Sequence, residues 1–496
     1  MKRTFALLVC FLMLFGLFPT IVHALPAEQA NAIQQLLDDA VRISGTPGVS
    51  AAIISDSQQH FINSGHMSRA NRNAASMVNA HTLYEIGSLS KAFTAVGILL
   101  LEEKGLLFLT DYVEEHLPWF YVMYRNERAA VTVQQLLNHT SGLTNNHQAA
   151  PRGEGADMLL RTVEPLTGAR LDFAPGSSFS YGNANYNILG LIIEKVTGQS
   201  YESFMIEQVF QPLGLYQTFL FHSEAIATGR MAQGHRRVFF RNFIYTAPIY
   251  GGMKPTGFII SSSSDMARWM GINLGIVQDI PEIFLRVIET AHRADTAGPS
   301  MGGNQFYANG WIINIENGII GHAGQTPNFT ANMLLFPSEG QGVIFLANCI
   351  SIDFNVAWGI KGILDDDLQQ SYSRSARHRT DFFHSIFSIS FFIFAIAEFV
   401  VGTRNRLKYK PKLTKSKIAL TAFFVVLTIV FTFVFLNIPR SMGAGTWDWA
   451  LVFDWGAIST ITMMFILPFS FAASAWQIYT KNPKEVAEKK NKADEI

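Results

Sequence analysis

The stretch Tyr84-Glu85-Ile86-Gly87-Ser88-Leu89-Ser90-Lys91-Ala92-Phe93-Thr94 carries more information than any other part of this chain. Residues three apart share a helix face, so Ser88 and Lys91 stand one turn from each other. That spacing brings an amine within reach of a hydroxyl it can deprotonate. Gly87 suits a sharp turn that exposes Ser88 at a helix start. The apolar run Val96-Gly97-Ile98-Leu99-Leu100-Leu101 predicts that the helix continues into the centre of a domain. Taken alone, a serine and a lysine at this spacing also occur on the solvated faces of many helices.

Two further motifs give the pair a context. Tyr181-Gly182-Asn183 stands just before an apolar-periodic segment, Ala184 to Thr197, that predicts a helix. Tyr181 can share a proton with Lys91, and the Asn183 amide can hold a substrate carbonyl. His322-Ala323-Gly324 follows the turn Glu316-Asn317-Gly318, on what reads as an edge strand. In this order the motifs resemble the S-x-x-K, Y-x-N and K-T-G (or H-x-G) elements of serine β-lactamases and penicillin-binding proteins. The histidine variant is similar to the class C-related branch of peptidases and esterases. Leu136-Leu137-Asn138-His139-Thr140-Ser141-Gly142-Leu143, Pro175-Gly176-Ser177-Ser178-Phe179-Ser180-Tyr181 and Asn309-Gly310-Trp311 resemble further signatures of that branch. The resemblance runs from about Pro47 to about Asn348.

Outside this region the chain reads as a membrane protein. Its 496 residues carry no formal net charge, which gives no argument for nucleic acid. Lys2 and Arg3 precede an apolar stretch, Phe5 to Ile21, that ends in Val22-His23-Ala24, so residues 1–24 are expected to be a cleaved signal peptide. Val9 before Cys10 is too large for a lipoprotein signal. Once this segment is removed only Cys349 remains, and an internal disulfide is ruled out. Residues 25–372 are the expected extracytoplasmic domain and 373–381 a linker. Phe382 to Val401, Ile418 to Ile438 and Trp455 to Trp476 each approach the ~20 residues that span a bilayer as a helix.

Charge orients these spans. Arg404, Arg406, Lys408, Lys410, Lys412, Lys415 and Lys417 place the first connecting loop in the cytoplasm. Pro439 to Trp449 carries only Arg440 and is expected outside. Residues 481–496, with Lys481, Lys484, Lys489, Lys490 and Lys492, are the expected cytoplasmic tail. Trp447, Trp449, Trp455, Trp476 and Tyr479 read as interfacial anchors. Glu398 and Asp454 fall near predicted membrane edges, where a carboxylate is tolerated. The expected location is the inner membrane of a bacterium, with the catalytic domain on its outer side.

Within the domain, Pro26 to Ile43 reads as an amphipathic helix. Val49 to Ile54 and Gln59 to Ser64 read as strands around the turn Asp56-Ser57-Gln58. Gly310 to Ile315, Ile319 to His322, Phe329 to Phe336 and Val343 to Ala347 read as consecutive antiparallel strands. Strands at both ends with helices between predict an α+β domain, one mostly antiparallel sheet flanked by helices. The resemblance implies that Ser88 is a nucleophile served by Lys91 and Tyr181. It also implies that the backbone N–H groups of Ser88 and Gln325 form an oxyanion hole. Glu85, Asn183, His322, Gly324, Thr326 and Asn328 are the expected substrate contacts. For Glu85 a cap on the helix start is an equal alternative, and for His322 a structural role. His139 is expected to hold its loop. No metal or other cofactor is implied, and His222 and His235 have no spacing that suggests a metal site.

Signal peptide, class C-like domain and three spans together resemble the membrane-bound peptidases that activate nonribosomal peptide prodrugs of the colibactin, zwittermicin and xenocoumacin type. That resemblance implies removal of an N-acyl-D-asparagine cap from an acylated precursor. Thr326 and Asn183 depart from it, because the colibactin relative carries asparagine and serine there. The alternatives are a D-alanyl carboxypeptidase, an esterase, a class C β-lactamase or, outside enzymes, a β-lactam sensor.

Overall fold

The computed structural model describes residues 25–373, 376–411, 414–438, 449–455 and 458–481. The expected signal peptide, most of the 439–449 loop with Trp447, Lys412, and the tail beyond Lys481 lie outside them.

Seven antiparallel strands form the central sheet. They are β1 (Gly48–Ser55), β2 (Gln58–Gly65), β3 (Gln305–Ala308), β4 (Trp311–Asn314), β5 (Ile320–Gln325), β6 (Thr330–Phe336) and β7 (Gln341–Ala347), in the spatial order β3-β4-β5-β6-β7-β1-β2. Chain start and domain end therefore meet at β1 and β7, with Val49 opposite Ala347 and Ile53 opposite Val343. A two-residue turn joins β1 to β2, and Asp56 and Ser57 both take the positive φ that the twist of a tight hairpin requires. The sheet is apolar on both faces because helices cover both. Val49, Ala51, Ile53, Val343 and Phe345 pack with Leu36, Leu37 and Ala40 of α1 (Ala27–Ser44). The alternate residues Ala52, Ile54, Ile344 and Leu346 join the larger core.

That larger core surrounds α2 (Ser90–Glu103), which is buried from Ser90 to Leu101. Phe93 on this helix stacks on Trp269 at 4.4 Å between ring centroids. Alongside runs α3 (Asn183–Thr197), buried from Ala184 to Ile193 and closed by Gly198 at φ 69°. The α+β class is as the motifs implied. Two details differ from the expectation. His322 lies on β5, an inner strand between β4 and β6, rather than on an edge. The outer place is taken by β3, whose short segment Gln305–Ala308 follows a Gly-rich turn and has no clear alternation to announce it.

Three C-terminal helices are long and apolar enough to cross a membrane: Arg379–Lys408, Lys415–Leu436 and Ile458–Thr480. The first belongs to a longer helix, α4 (Ala376–Lys408), which absorbs most of the expected linker. Then follow α5 (Lys415–Leu436), the short α6 (Trp449–Trp455) and α7 (Ile458–Thr480). Two carboxylates tie this bundle to the sheet domain. Asp381 on α4 accepts from Arg237 at 2.5 Å and from Ser459 at 2.6 Å. Asp454 on α6 accepts from Tyr245 at 2.7 Å, and from Arg152 and Tyr250. Asp454 is thus fully engaged with the sheet domain rather than merely tolerated at a membrane edge.

Candidate active site

Ser88 sits in a single tight turn, Gly87–Leu89, that runs straight into α2. Two glycines make this turn possible. A Cβ on Gly87, at φ 57°, would fall 2.2 Å from the Gln325 amide nitrogen. One on Gly324 would fall 2.0 Å from the Ile86 carbonyl oxygen and 3.3 Å from the Ser88 nitrogen. The serine turn and the end of β5 therefore meet backbone to backbone. This contact puts the Ser88 and Gln325 amides side by side, as an oxyanion hole needs.

Lys91 is fully buried. Its Nζ lies 3.2 Å from Ser88 Oγ, 2.9 Å from Asn183 Oδ1 and 2.7 Å from the Thr256 carbonyl oxygen. Burial drives the Lys91 pKa well below the ordinary lysine value. An amine so depressed can be neutral, and its lone pair can then accept the Ser88 proton. Tyr181 completes the arrangement, its phenol donating to Ser88 Oγ at 2.9 Å. Burial raises the Tyr181 pKa, the Ser88 bond opposing it, so the phenol stays protonated. Tyr181 and Lys91, expected to share a proton, both meet at Ser88 Oγ, with Lys91 Nζ 4.8 Å from the tyrosine ring centroid.

Asn183, first residue of α3, spends its Oδ1 on Lys91 and on the Thr256 hydroxyl at 3.0 Å. Its Nδ2 points towards Gln148 Oε1 at 3.4 Å, leaving amide donor capacity for a substrate carbonyl.

Histidines pack behind the tyrosine. His139 is fully buried, at φ 56°, with its ring 4.4 Å from that of Tyr181. Its Nδ1 accepts from Asn185 at 3.1 Å, and burial together with the Lys91 charge keeps it neutral. This is the loop-holding role expected of it. His322 faces a carbonyl, Ala323 O, through Nδ1 at 2.6 Å, so Nδ1 carries the proton. Nε2 then accepts from Tyr307 at 3.1 Å. Burial, helped by the charge of Lys91, lowers the His322 pKa to about 3. His322 is therefore a neutral ring with both nitrogens occupied. It offers no cation to a substrate carboxylate, and of the roles expected for it these contacts suit support of the site. Tyr307 was not anticipated, because the strand that carries it was not.

Thr326 and Asn328, expected as substrate contacts, bond to each other and to neighbouring backbone. Thr326 accepts from the Phe329 amide at 3.2 Å and donates to Asn328 Oδ1 at 3.2 Å. Asn328 Nδ2 donates to the Tyr245 carbonyl at 2.9 Å. Thr326 is spent on closing the turn between β5 and β6, because a buried hairpin must satisfy its own backbone groups. Asn328 keeps a face on a neighbouring cavity of about 370 Å³.

Glu85 lines the same cavity. It does not cap the helix start; it lies on a short strand, Leu83–Glu85, paired with Ile260–Ser262. Its Oε1 is 2.7 Å from His222 Nε2. Burial opposes the His222 cation, but the hydrogen bond and charge of Glu85 outweigh it and raise the His222 pKa. Glu85 Oε2 and His222 Nδ1 are buried with no hydrogen-bond partner among the described residues. His222 was passed over in the sequence because it lies far along the chain from Glu85 and has no motif around it.

A family model described as Beta-lactamase matches residues 32–351, more than half of the chain. The chain belongs to the β-lactamase family. It is similar to Protein flp of Staphylococcus aureus, 28% identical over 329 residues, which cover 65% of this chain and 63% of that protein. It is similar also to Penicillin-binding protein 4* of Bacillus subtilis, 30% identical over 302 residues, 55% of this chain and 62% of that protein. The chain thus spans less than two thirds of the length of these relatives. Among solved structures it resembles the octameric penicillin-binding protein homologue from Pyrococcus abyssi, with a TM-score of 0.58, 24% identity, and 68% and 77% of the two chains covered. A class C β-lactamase matches with a TM-score of 0.59 and 19% identity, over 71% of this chain and 99% of that one. These structures share the β-lactamase fold. The family match stops before the three apolar C-terminal helices.

Proposed function

We propose that this β-lactamase-family hydrolase is a membrane-anchored serine peptidase that removes an N-acyl-D-amino-acid cap, acyl-D-asparagine, from a nonribosomal peptide prodrug. The observation that carries the chemistry is the meeting of Lys91 Nζ and Tyr181 Oη at Ser88 Oγ. Neutral Lys91 takes the Ser88 proton as Oγ attacks the scissile carbonyl, and the amides of Ser88 and Gln325 stabilise the resulting oxyanion. The leaving amine receives a proton from the Lys91–Tyr181 pair. Water then releases the acyl group from Ser88 with the same groups in reverse.

Two observations support an amide substrate with a carboxamide side chain. The neutral His322 provides no partner for the free carboxylate of a D-alanyl peptide or a β-lactam. In the cavity that Asn328 also lines, Glu85 Oε2 and His222 Nδ1 have no hydrogen-bond partner among the described residues, and the bond and charge of Glu85 favour the His222 cation, so the pair can present an acceptor and a donor to a primary carboxamide. The C-terminal helices support membrane anchoring, with the catalytic domain outside the cytoplasm of a bacterial inner membrane. A fatty-acyl cap gains about 0.8 kcal/mol per methylene buried in lipid, so the substrate concentrates where the enzyme is held.

A second reading, a D-alanyl carboxypeptidase or esterase, is favoured by the similarity to Penicillin-binding protein 4*. Membranes containing the full chain separate the two when offered N-myristoyl-D-asparaginyl amide, its L-epimer, a D-alanyl-D-alanine peptide and nitrocefin. The D-asparaginyl amide should be cleaved fastest by at least tenfold, on the order of 1.4 kcal/mol in transition-state binding. Equal rates for the epimers, or faster turnover of nitrocefin, would exclude the prodrug reading.

A further inference from the structure

Asp454 belongs to the C-terminal bundle, yet its partners lie on the two loops that hold the catalytic lysine in place. Tyr245 and Tyr250 come from the loop that leads into Gly251–Met253 and Lys254–Gly257. Six residues beyond Tyr250, the Thr256 carbonyl accepts from Lys91 and the Thr256 hydroxyl donates to Asn183. Arg152 comes from the other loop, four residues beyond Gln148, which accepts from Asn183. Backbone bonds lace the loops together, from Gly153 N to Ile249 O at 2.8 Å and from Gly251 N to Gly153 O at 3.0 Å. One carboxylate from the bundle therefore closes the far end of both loops.

We infer that Asp454 is a positioning residue for the acylation step: the C-terminal bundle sets the placement of Lys91 and Asn183 through the Arg152 and Tyr245–Tyr250 loops. The bundle is then part of the catalytic framework as well as an anchor. The inference rests on the reading of Ser88 as nucleophile and Lys91 as base. Removing the Asp454 charge leaves Arg152 and two phenols without their common acceptor. The loops lose their clasp, and water gains access to the buried Lys91. The titratable groups that face Lys91 are Tyr181, Tyr186, His139 and His322. None of them touches Asp454, so a change in Lys91 titration reports on the loops alone. Better hydration favours the Lys91 cation, so the pH at which Lys91 becomes a competent base moves upward.

The test measures acylation of the full chain in lipid nanodiscs by a fluorophosphonate, from neutral to alkaline pH, together with thermal melting. Asp454→Asn should slow acylation on the order of tenfold to a hundredfold and shift the rising limb of its pH profile, which reports Lys91 deprotonation, to higher pH, while the protein still melts cooperatively. Asp454→Glu, which keeps the charge, should recover part of the rate and move the limb back. Tyr250→Phe removes one bond to Asp454 without burying an unpaired charge, and should produce the same shift on a smaller scale. A folded Asp454→Asn protein with unchanged rate and pH profile would overturn the inference. If Asp454→Asn does not fold, an unchanged Tyr250→Phe overturns it equally. Labelling that survives in Ser88→Ala would remove the acylation reading itself, and is distinguishable because it appears with Asp454 intact.

Discussion

Lys91→Met separates what Lys91 does for the reaction from what it costs the fold. Methionine nearly matches the lysine stem in length and fills the same apolar channel without an amine. Ser88 then has no base, and Tyr181, whose phenol is raised by burial, cannot replace it at neutral pH. A positioned general base contributes about 10²–10⁴-fold, so acylation should fall by roughly 3–5 kcal/mol in barrier height. Stability should move the other way or not at all. The Thr256 carbonyl loses its 2.7 Å partner, a loss of about 1–3 kcal/mol for a buried acceptor. Asn183 Oδ1 retains the Thr256 hydroxyl. Against this, the variant no longer buries an amine that burial has made hard to charge.

The sign can be checked by pH. A lysine whose folded pKa lies below its unfolded value binds fewer protons when folded, so its penalty is full below the folded pKa and fades as pH rises towards the ordinary lysine range. The stability advantage of Lys91→Met should accordingly shrink with rising pH. Stopped labelling with a fluorophosphonate measures acylation, and differential scanning calorimetry at several pH values measures stability. Acylation within tenfold of the unmodified protein would refute Lys91 as the base.

Further outcomes follow from the same geometry. Gly324→Ala places a Cβ 2.0 Å from the Ile86 carbonyl, so it should force β5 away from the serine turn and abolish labelling; normal labelling would sink the backbone-contact account. His139 and His322 are buried, His292 is half-buried, and all three are held neutral, His292 at about 4 and His322 at about 3. Their unfolded forms protonate first as pH falls below about 6.5, so each costs up to about 1.4 kcal/mol per pH unit there, and the melting temperature should fall with acid; a flat profile between neutral and mildly acidic pH would contradict their burial as neutral rings. Glu85→Gln should reduce cleavage of the D-asparaginyl amide more than that of a D-alanyl analogue, and equal losses would place the carboxamide elsewhere. A reporter fused after Lys410 should be active only in the cytoplasm, given the cluster of basic residues around it.

The parts of the molecule that were legible in the sequence are those whose determinants are local. Ser88 and Lys91 are three residues apart on one helix, and their spacing fixes their geometry once the helix forms. Asp56-Ser57 announces its hairpin by residue type, and the apolar stretch Ala184 to Ile193 announces the buried helix. The sheet reads correctly in strands that end in a marked apolar run, such as Thr330–Phe336. It fails for Gln305–Ala308, which is short and preceded by Gly302 and Gly303.

Residues whose surroundings depend on a distant partner were not legible in the sequence, for a physical reason. Thr326 and Asn328 carry the donors and acceptors a polar substrate needs, and those same groups are what a buried turn consumes. For His322 a substrate contact and a structural role were both open, because histidine titrates near neutrality. Its site is defined by Tyr307 and by burial, which only the packed sheet reveals. Glu85 and His222 show the converse: a pair assembled across the fold leaves two polar atoms unpaired against a cavity. A folded domain does not leave buried polar groups unmatched without compensation elsewhere, since each costs about 1–3 kcal/mol. Under the proposed function a substrate carboxamide supplies the missing partners, and Glu85 and His222 then govern selectivity more directly than the turn formed by Thr326.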